Sequence, residues 1–352
     1  MTNPDSVRIL DGGLGTSLED RYGVKFDDST PLWSSHPIVS DPDTLVACQR
    51  DFVEAGADVL LTATYQVSIE GFARTKVPQY PDGIPKYALG RYLANAVGIA
   101  EKAKAQSRST SLALSLGPYG ACMVPGQEYS GRYDDGHSSE DALYRWHLER
   151  LRLFTNVQGL MDRIAFVAFE TVPRLDEVRA IRRAYQDANI GGKFWISCVF
   201  PGEGHCLPDG TSTEHAVKGM LAPLPGGSKP WGIGINCTKI NKLPGLVHSY
   251  GETVQSMLAF SELVTTPALL LYPDGTKGEV YNTTTKKWEK QPSTRAAGHH
   301  DEGPWAKELA RIVRASQDQG IFKSYVVGGC CKASAADISE LRQEFPAGST
   351  CK

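Results

Sequence analysis

Cys330 and Cys331 stand side by side at the end of an apolar run, Tyr325-Val326-Val327-Gly328-Gly329. A second run, Gly232-Ile233-Gly234-Ile235-Asn236, ends in the same way on Cys237. Three thiols at the carboxyl ends of two strands can converge on one soft cation, and the Gly-Gly pair lets the chain turn tightly enough for both neighbours to face it. Zinc suits thiolate ligands, and its catalytic sites keep one position open, which a substrate's own sulfur can fill. Two plainer readings stay open. The cysteines can be buried small hydrophobes, or Cys330 and Cys331 can form a vicinal disulfide. The other cysteines have weaker claims: Cys48 falls in a helical segment, Cys351 in the tail, and Cys198 and Cys206 flank a Pro-Gly turn. The eight histidines show no HxxH or HExxH spacing.

Two acids follow apolar runs in the same way. Asp11 opens Asp11-Gly12-Gly13-Leu14-Gly15-Thr16, which lacks the GxGxxG spacing of a phosphate loop and begins with a charge that an anion would avoid. Glu170 directly follows Phe166-Val167-Ala168-Phe169. Buried carboxylates need partners, and two of them around one pocket suit a substrate ammonium group. Asp11 as a turn former and Glu170 as half of a salt bridge are the alternatives. Gln66 and Asn236 can orient polar groups, and Tyr65, Tyr119, Tyr129 and Trp288 offer aromatic faces to a cation.

These residues need a scaffold that brings distant segments together. Nearly continuous apolar runs recur at 7–10, 58–62, 112–116, 164–169, 193–199, 232–236, 268–272 and 325–327. Runs without polar alternation read as parallel strands buried on both faces. Helical patterns fall between them at 43–55, 87–106, 139–160, 173–185, 214–220, 246–263, 305–316 and 335–345. Ser138, Ser139 and Glu140 supply a cap and first turn, and Pro173 suits a first helical turn. Eight alternations over 352 residues predict one domain, 1–352, folded as a single (β/α)8 TIM barrel, with a doubly wound open sheet as the alternative. A barrel gathers function at the carboxyl ends of its strands. Asp11, Thr64, Gln66, Glu170, Asn236, Cys237, Cys330 and Cys331 all have such positions. Long loops at 117–136, after the third strand, and 273–303, after the seventh, read as lids or binding loops.

Composition narrows the class. Apolar residues make up 41% and charged residues 22%, and 37 basic against 40 acidic side chains leave a net charge of −3. That balance suggests no nucleic-acid or anionic-membrane partner. The start, Met1-Thr2-Asn3-Pro4-Asp5, carries no signal-peptide pattern, and no stretch reaches eighteen apolar residues. A cytoplasmic enzyme is expected, one whose eight cysteines are too sparse for a disulfide scaffold. Nothing assigns an oligomeric state.

In this order the motifs resemble the homocysteine S-methyltransferase family. They are Leu10-Asp11-Gly12-Gly13-Leu14-Gly15-Thr16, Thr62-Ala63-Thr64-Tyr65-Gln66, Gly117-Pro118-Tyr119-Gly120-Ala121, Glu128-Tyr129-Ser130-Gly131, Glu170-Thr171-Val172-Pro173, Gly234-Ile235-Asn236-Cys237, Tyr272-Pro273 and Gly328-Gly329-Cys330-Cys331. The chain looks most like the branch that takes its methyl group from a sulfonium, S-methylmethionine or S-adenosylmethionine, and less like the betaine-using branch. The resemblance implies zinc on Cys237, Cys330 and Cys331. It also implies that Asp11 and Glu170 hold the amino group of homocysteine and that the backbone near Gly12 assists with its carboxylate. The expected chemistry is methyl transfer from the sulfonium to the homocysteine thiolate, giving methionine. Metal coordination removes the need for a general base, because a coordinated thiol is deprotonated. One departure is the segment Lys332-Ala333-Ser334-Ala335-Ala336-Asp337-Ile338, where relatives usually carry a Thr-Pro-x-His-like stretch; Asp337 is a candidate to stand in for the histidine. A lyase or aldolase barrel would want a Schiff-base lysine or a His/Asp metal site, and neither is evident. A barrel that stores or senses zinc would leave Asp11 and Glu170 unexplained.

Overall fold

The computed structural model describes residues 6–105, 107, 109–276, 279–282, 287–290 and 304–346. The strands are β1 (Ser6–Ile9), β2 (Val59–Leu61), β3 (Ser111–Leu116), β4 (Phe166–Val172), β5 (Lys193–Cys198), β6 (Gly232–Asn236), β7 (Ala268–Tyr272), β8 (Glu279–Asn282), β9 (Lys287–Lys290) and β10 (Ser324–Val327). Eight of them form one parallel sheet in the order β1-β10-β7-β6-β5-β4-β3-β2. A parallel bridge from Leu10 to Val59, with Asp11 N–H donating to Val59 O, joins the two edges. The sheet is therefore a barrel, and the open-sheet alternative falls.

Helices wrap it: α1 (Leu14–Tyr22), α2 (Pro37–Ser40), α3 (Pro42–Glu54), α4 (Ile69–Arg74), α5 (Leu89–Ala103), α6 (Glu140–Thr155), α7 (Leu175–Asp187), α8 (Thr213–Leu221), α9 (Leu243–Ala259), α10 (Trp305–Asp318) and α11 (Ala335–Glu344). Ser139 caps α6 by accepting from Ala142 N–H. Several details depart from the sequence expectation. α1, α2 and α4 were not anticipated, because each is short and α1 begins among glycines. Pro173 lies two residues before α7 rather than in its first turn. The segment after β7 contains an antiparallel hairpin, β8–β9, instead of only loop. His299, His300 and Cys351 lie outside the described residues, as does the side chain of Trp288.

Two cores follow from strand alternation. Phe166 and Ala168 of β4 point into the barrel beside Trp195, Leu270 and Val326, while Val167 and Phe169 face the helices. Successive side chains alternate faces, so Glu170 continues the inward set. It lies inside β4 rather than just beyond it. The register shifts between Phe169 and Val172, where Thr171 has φ 59°. The same alternation turns Ser115, Asn236 and Tyr272 inward at the carboxyl ends of β3, β6 and β7. A polar layer thus caps the apolar barrel interior.

Candidate active site

A cavity of about 150 Å³ sits over that layer. Its lining includes Asp11, Glu19, Glu128 and Glu170 together with Cys237, Cys330 and Cys331, and among the described residues it includes no lysine or arginine. Such a cavity lacks internal counter-charge and is suited to cations.

The sulfurs occupy one corner. Cys237 follows β6 with φ 45°, a turn that swings its side chain over the strand end. The loop after β10 is laced in place: Cys330 N–H donates to Pro273 O at 2.8 Å, Gly275 N–H to Cys331 O at 2.7 Å, and Gly329 N–H to Asp11 O at 3.0 Å. Glycine is required at 328, where a Cβ would lie 2.7 Å from Asp11 O. Cys237 and Cys330 are paired as a disulfide with Cα atoms 5.4 Å apart, so the bond runs between strands rather than between neighbours. Cys331 is free, and its Sγ lies 3.9 Å from Cys237 Sγ and 3.8 Å from the Tyr129 hydroxyl. All three sulfurs lie within 4.8 Å of one another. A tetrahedral ion with bonds of about 2.3 Å to sulfur spaces its ligand sulfurs by about 3.8 Å. As thiolates, this trio fits a soft metal. Burial pushes the Cys331 thiol up to about 12, so a thiolate here needs an added cation. Among the described residues the other cysteines stay out of the cluster: Cys48 and Cys198 are buried in the outer core, and Cys206 is exposed.

The carboxylates form the floor. Asp11 Oδ2 accepts from Leu61 N–H at 2.8 Å, while Oδ1 is buried without a partner among the described residues. Burial raises the Asp11 carboxyl well above its ordinary range, and the nearby charge of Glu170 adds to the rise. Burial brings Glu170 up to about 7, against the opposing hydrogen bonds of Ser115 and Tyr272. Glu170 has no salt bridge in the described structure; Ser115 Oγ donates to its Oε1. Gly12 lines the cavity, and the amino end of α1 at Leu14 and Gly15 borders it as well. Gly13 N–H is committed to Ala333 O. First-turn amides lack intrahelical partners and favour anions, and the unforeseen α1 turns that end toward the cavity.

The other anticipated residues divide. Asn236 lines the cavity but spends its amide on the protein, with Oδ1 accepting from Thr171 N–H at 2.8 Å and Nδ2 donating to Thr171 Oγ1 at 2.8 Å. A further contact runs from Nδ2 to Cys330 Sγ at 3.9 Å. Asn236 thereby pins the positive-φ residue next to Glu170. Gln66 Oε1 accepts from Ser34 N–H and Oγ, both at 3.1 Å. Thr64 lies beneath the floor and donates to Ser115 O at 2.7 Å. Tyr65 and Tyr129 line the cavity, whereas Tyr119 does not and instead stacks on His137 with ring centroids 3.9 Å apart. Asp337 is not a pocket residue: its carboxylate accepts from Ser334 N–H and Oγ, completing the capping box of α11. Its short side chain reaches back to the cap.

Sequence reasoning missed a buried clasp beneath the site. Glu177 on α7 accepts from Tyr119 N–H at 2.7 Å and from the Tyr133 hydroxyl, and His147 Nε2 lies 2.9 Å from it. Burial lowers the His147 pKa despite that carboxylate. Arg150 donates to Gly117 O and Tyr65 O, both at 2.6 Å. Together these groups fasten the segment after β3, which carries Glu128 and Tyr129. A carboxylate, a histidine and an arginine on the inner faces of α6 and α7 were the available signal. Trp33, another lining residue, lay in a segment with no strand-end position to mark it.

A sequence profile of the homocysteine S-methyltransferase family matches residues 8–345. The homocysteine S-methyltransferase of Escherichia coli is 29% identical over 97% of this chain and 96% of its own length. The betaine-homocysteine S-methyltransferase of Drosophila melanogaster is 28% identical over 97% and 94%. Among solved structures, the E. coli homocysteine methyltransferase MmuM superposes in its metallated form with TM-score 0.66 at 24% identity, covering 96% of both chains. Its oxidized form superposes with TM-score 0.66 at 25% identity, covering 96% of this chain and 95% of that one. A profile match across nearly the whole chain, on a barrel whose strand ends bring the three cysteines together, settles the assignment: the chain belongs to the homocysteine S-methyltransferase family.

Proposed function

We propose that this protein transfers a methyl group from a sulfonium donor to the sulfur of homocysteine, forming methionine, with zinc held by Cys237, Cys330 and Cys331. The observation that carries the reading is the union, in one cation-seeking cavity, of three clustered sulfurs and two buried acids, one of which has an unpartnered oxygen. Metal is consistent with the metallated form of the similar MmuM structure. Bound there, zinc supplies ionisation of the substrate thiol.

The chain's own residues supply the rest. Asp11 Oδ1 and Glu170 receive the α-ammonium of homocysteine, which replaces the counter-charge that burial has removed. Gly12 and the first amides of α1 receive its carboxylate. Asn236 keeps Thr171, and through it Glu170, in position. The amino-acid end is then fixed at the floor while the sulfur is directed at the cysteine corner. The sulfur's electron pair forms a bond to the donor methyl carbon. The bond from that carbon to the sulfonium breaks, its electron pair returns to the donor sulfur, and the thiol proton leaves to solvent. Holding the two sulfurs in line supplies much of the rate.

The test is incubation of the purified protein with homocysteine and each sulfonium, with detection of methionine, alongside metal analysis. The expected result is methionine formation and about one zinc per chain. Equal zinc and turnover in Cys237→Ser, Cys330→Ser and Cys331→Ser would end this reading.

A further inference from the structure

We propose that Glu128 selects the methyl donor by binding a primary α-ammonium group, with the donor lodged in a second cavity that shares this residue with the first. The proposal rests on the sulfonium reading above and adds which chemical class of donor the site accepts. The second cavity measures about 350 Å³ and shares Trp33, Gln66 and Glu128 with the cysteine-lined one. Those three residues stand between the two cavities, so a ligand bound in the second lies next to the first.

Glu128 carries the unsatisfied acceptor at this junction. Its Oε2 is shut off from solvent and has no hydrogen-bond partner among the described residues. Gly126 makes the space it occupies, since a Cβ there would lie 2.6 Å from Oε2. Gln66, the other polar side chain common to both cavities, has its oxygen committed to Ser34. Burial brings the Glu128 carboxyl up to about 7, as expected of an acid enclosed without its cation. The next residue, Tyr129, brings its hydroxyl to 3.8 Å from Cys331 Sγ, so the segment that carries Glu128 borders the sulfur corner.

The charges lining the second cavity match the same ligand. Asp27, Asp28 and Glu128 face it with Arg74. An α-amino acid bearing a sulfonium carries two positive charges and one negative. Hydrogen bonding makes the discrimination sharper than charge alone. A buried carboxylate oxygen without a partner needs an N–H or O–H donor. A primary ammonium provides one, whereas a trialkylsulfonium centre and the quaternary nitrogen of betaine provide none. A site built to bond a substrate N–H rejects analogues that lack it far more strongly than an apolar pocket rejects a missing methylene.

The test compares S-methylmethionine with its des-amino analogue, (3-carboxypropyl)dimethylsulfonium, in the zinc-loaded wild type and in Glu128→Gln. Donor binding is read by calorimetry without homocysteine, and kcat/KM by methionine formation. Wild type should prefer S-methylmethionine by about a hundredfold. Glu128→Gln should lose most of that preference, by weakening S-methylmethionine while leaving the analogue within about threefold. S-adenosylmethionine carries the same ammonium and should weaken in parallel. The homocysteine KM and zinc content of the variant should match wild type, which separates this effect from misfolding. An equal loss for donor and analogue, or no loss for either, overturns the proposal. Donor binding without methionine formation overturns the sulfonium reaction while leaving Glu128 as the ammonium site. Wild type that neither binds nor uses the sulfonium compounds overturns both.

Discussion

The two ends of the cavity are built on opposite principles. At the floor, the acids sit on or beside barrel strands, and the hydrogen bonds of Ser115, Leu61 and Tyr272 hold them ready. At the sulfur corner, the ligands sit on turns just past the strands, and among the described residues no lysine or arginine lines the cavity to stabilise a thiolate there. The floor is organised by the fold, whereas the corner is organised toward an ion that the chain does not itself supply. Loss at the corner should therefore remove chemistry, and loss at the floor should remove substrate affinity.

The largest effect should come from the corner. Cys237→Ser, Cys330→Ser or Cys331→Ser should each cut kcat/KM by about a thousandfold or more, comparable to removing a transition-state interaction of roughly 4 kcal/mol. Metal analysis of the same variants should show lost zinc, while circular dichroism should show an intact barrel. Next comes Glu170→Ala at the floor, expected to raise the homocysteine KM by about tenfold to a hundredfold. Steady-state kinetics in both substrates checks it, because the donor KM and zinc content should hold. A larger shift in donor KM than in homocysteine KM would move Glu170 to the donor side and dissolve the comparison.

The floor should also show a pH signature. Glu170 titrates near 7 in the folded protein, above the ordinary 4.5. Over that window the native state binds more protons than the unfolded chain. The stabilising effect of the protonated acid is thus fully present below pH 4.5 and lost as pH rises through 7. Urea unfolding of wild type against Glu170→Gln should show a relative loss of about 3 kcal/mol across the window and no further change above it. A constant difference from pH 4 to 8 would count against a protonated floor.

A smaller effect should follow from the clasp. Glu177→Gln weakens its bonds to Tyr119, Tyr133 and His147 and should cost about 1–3 kcal/mol of stability. It should slow turnover only several-fold, through the segment carrying Glu128 and Tyr129. Smallest of all, Asp337→Ala should cost about 1 kcal/mol through the α11 cap and leave both kinetic constants unchanged. A kinetic effect there would return Asp337 to the pocket.

The barrel was legible because its strands are buried on both faces. Gly232–Asn236 and Ala268–Tyr272 read as unbroken apolar runs and appear with those bounds. The cysteine trio was legible because its residue types are uncommon at strand ends. Less visible were elements whose purpose is local: α1 starts just after Gly13, which offers no side-chain cap, and α4 is only six residues long. Asn236 and Gln66 were recognisable as site residues, but a sequence does not show that their amides are already spent on Thr171 and Ser34. Glu128 stood inside a recognisable motif, yet nothing in its neighbours announced an unpaired buried oxygen.

By itself, then, the sequence determined the order of strands and helices, the face on which chemistry collects, and the residue types able to carry it, because periodicity and side-chain chemistry are local properties of a chain. Only the tertiary structure decided which sulfurs adjoin, which acids lack a counter-ion and which polar groups remain open to a ligand. Those properties depend on distances between segments hundreds of residues apart and on solvent excluded by all of them together, and no local pattern encodes either.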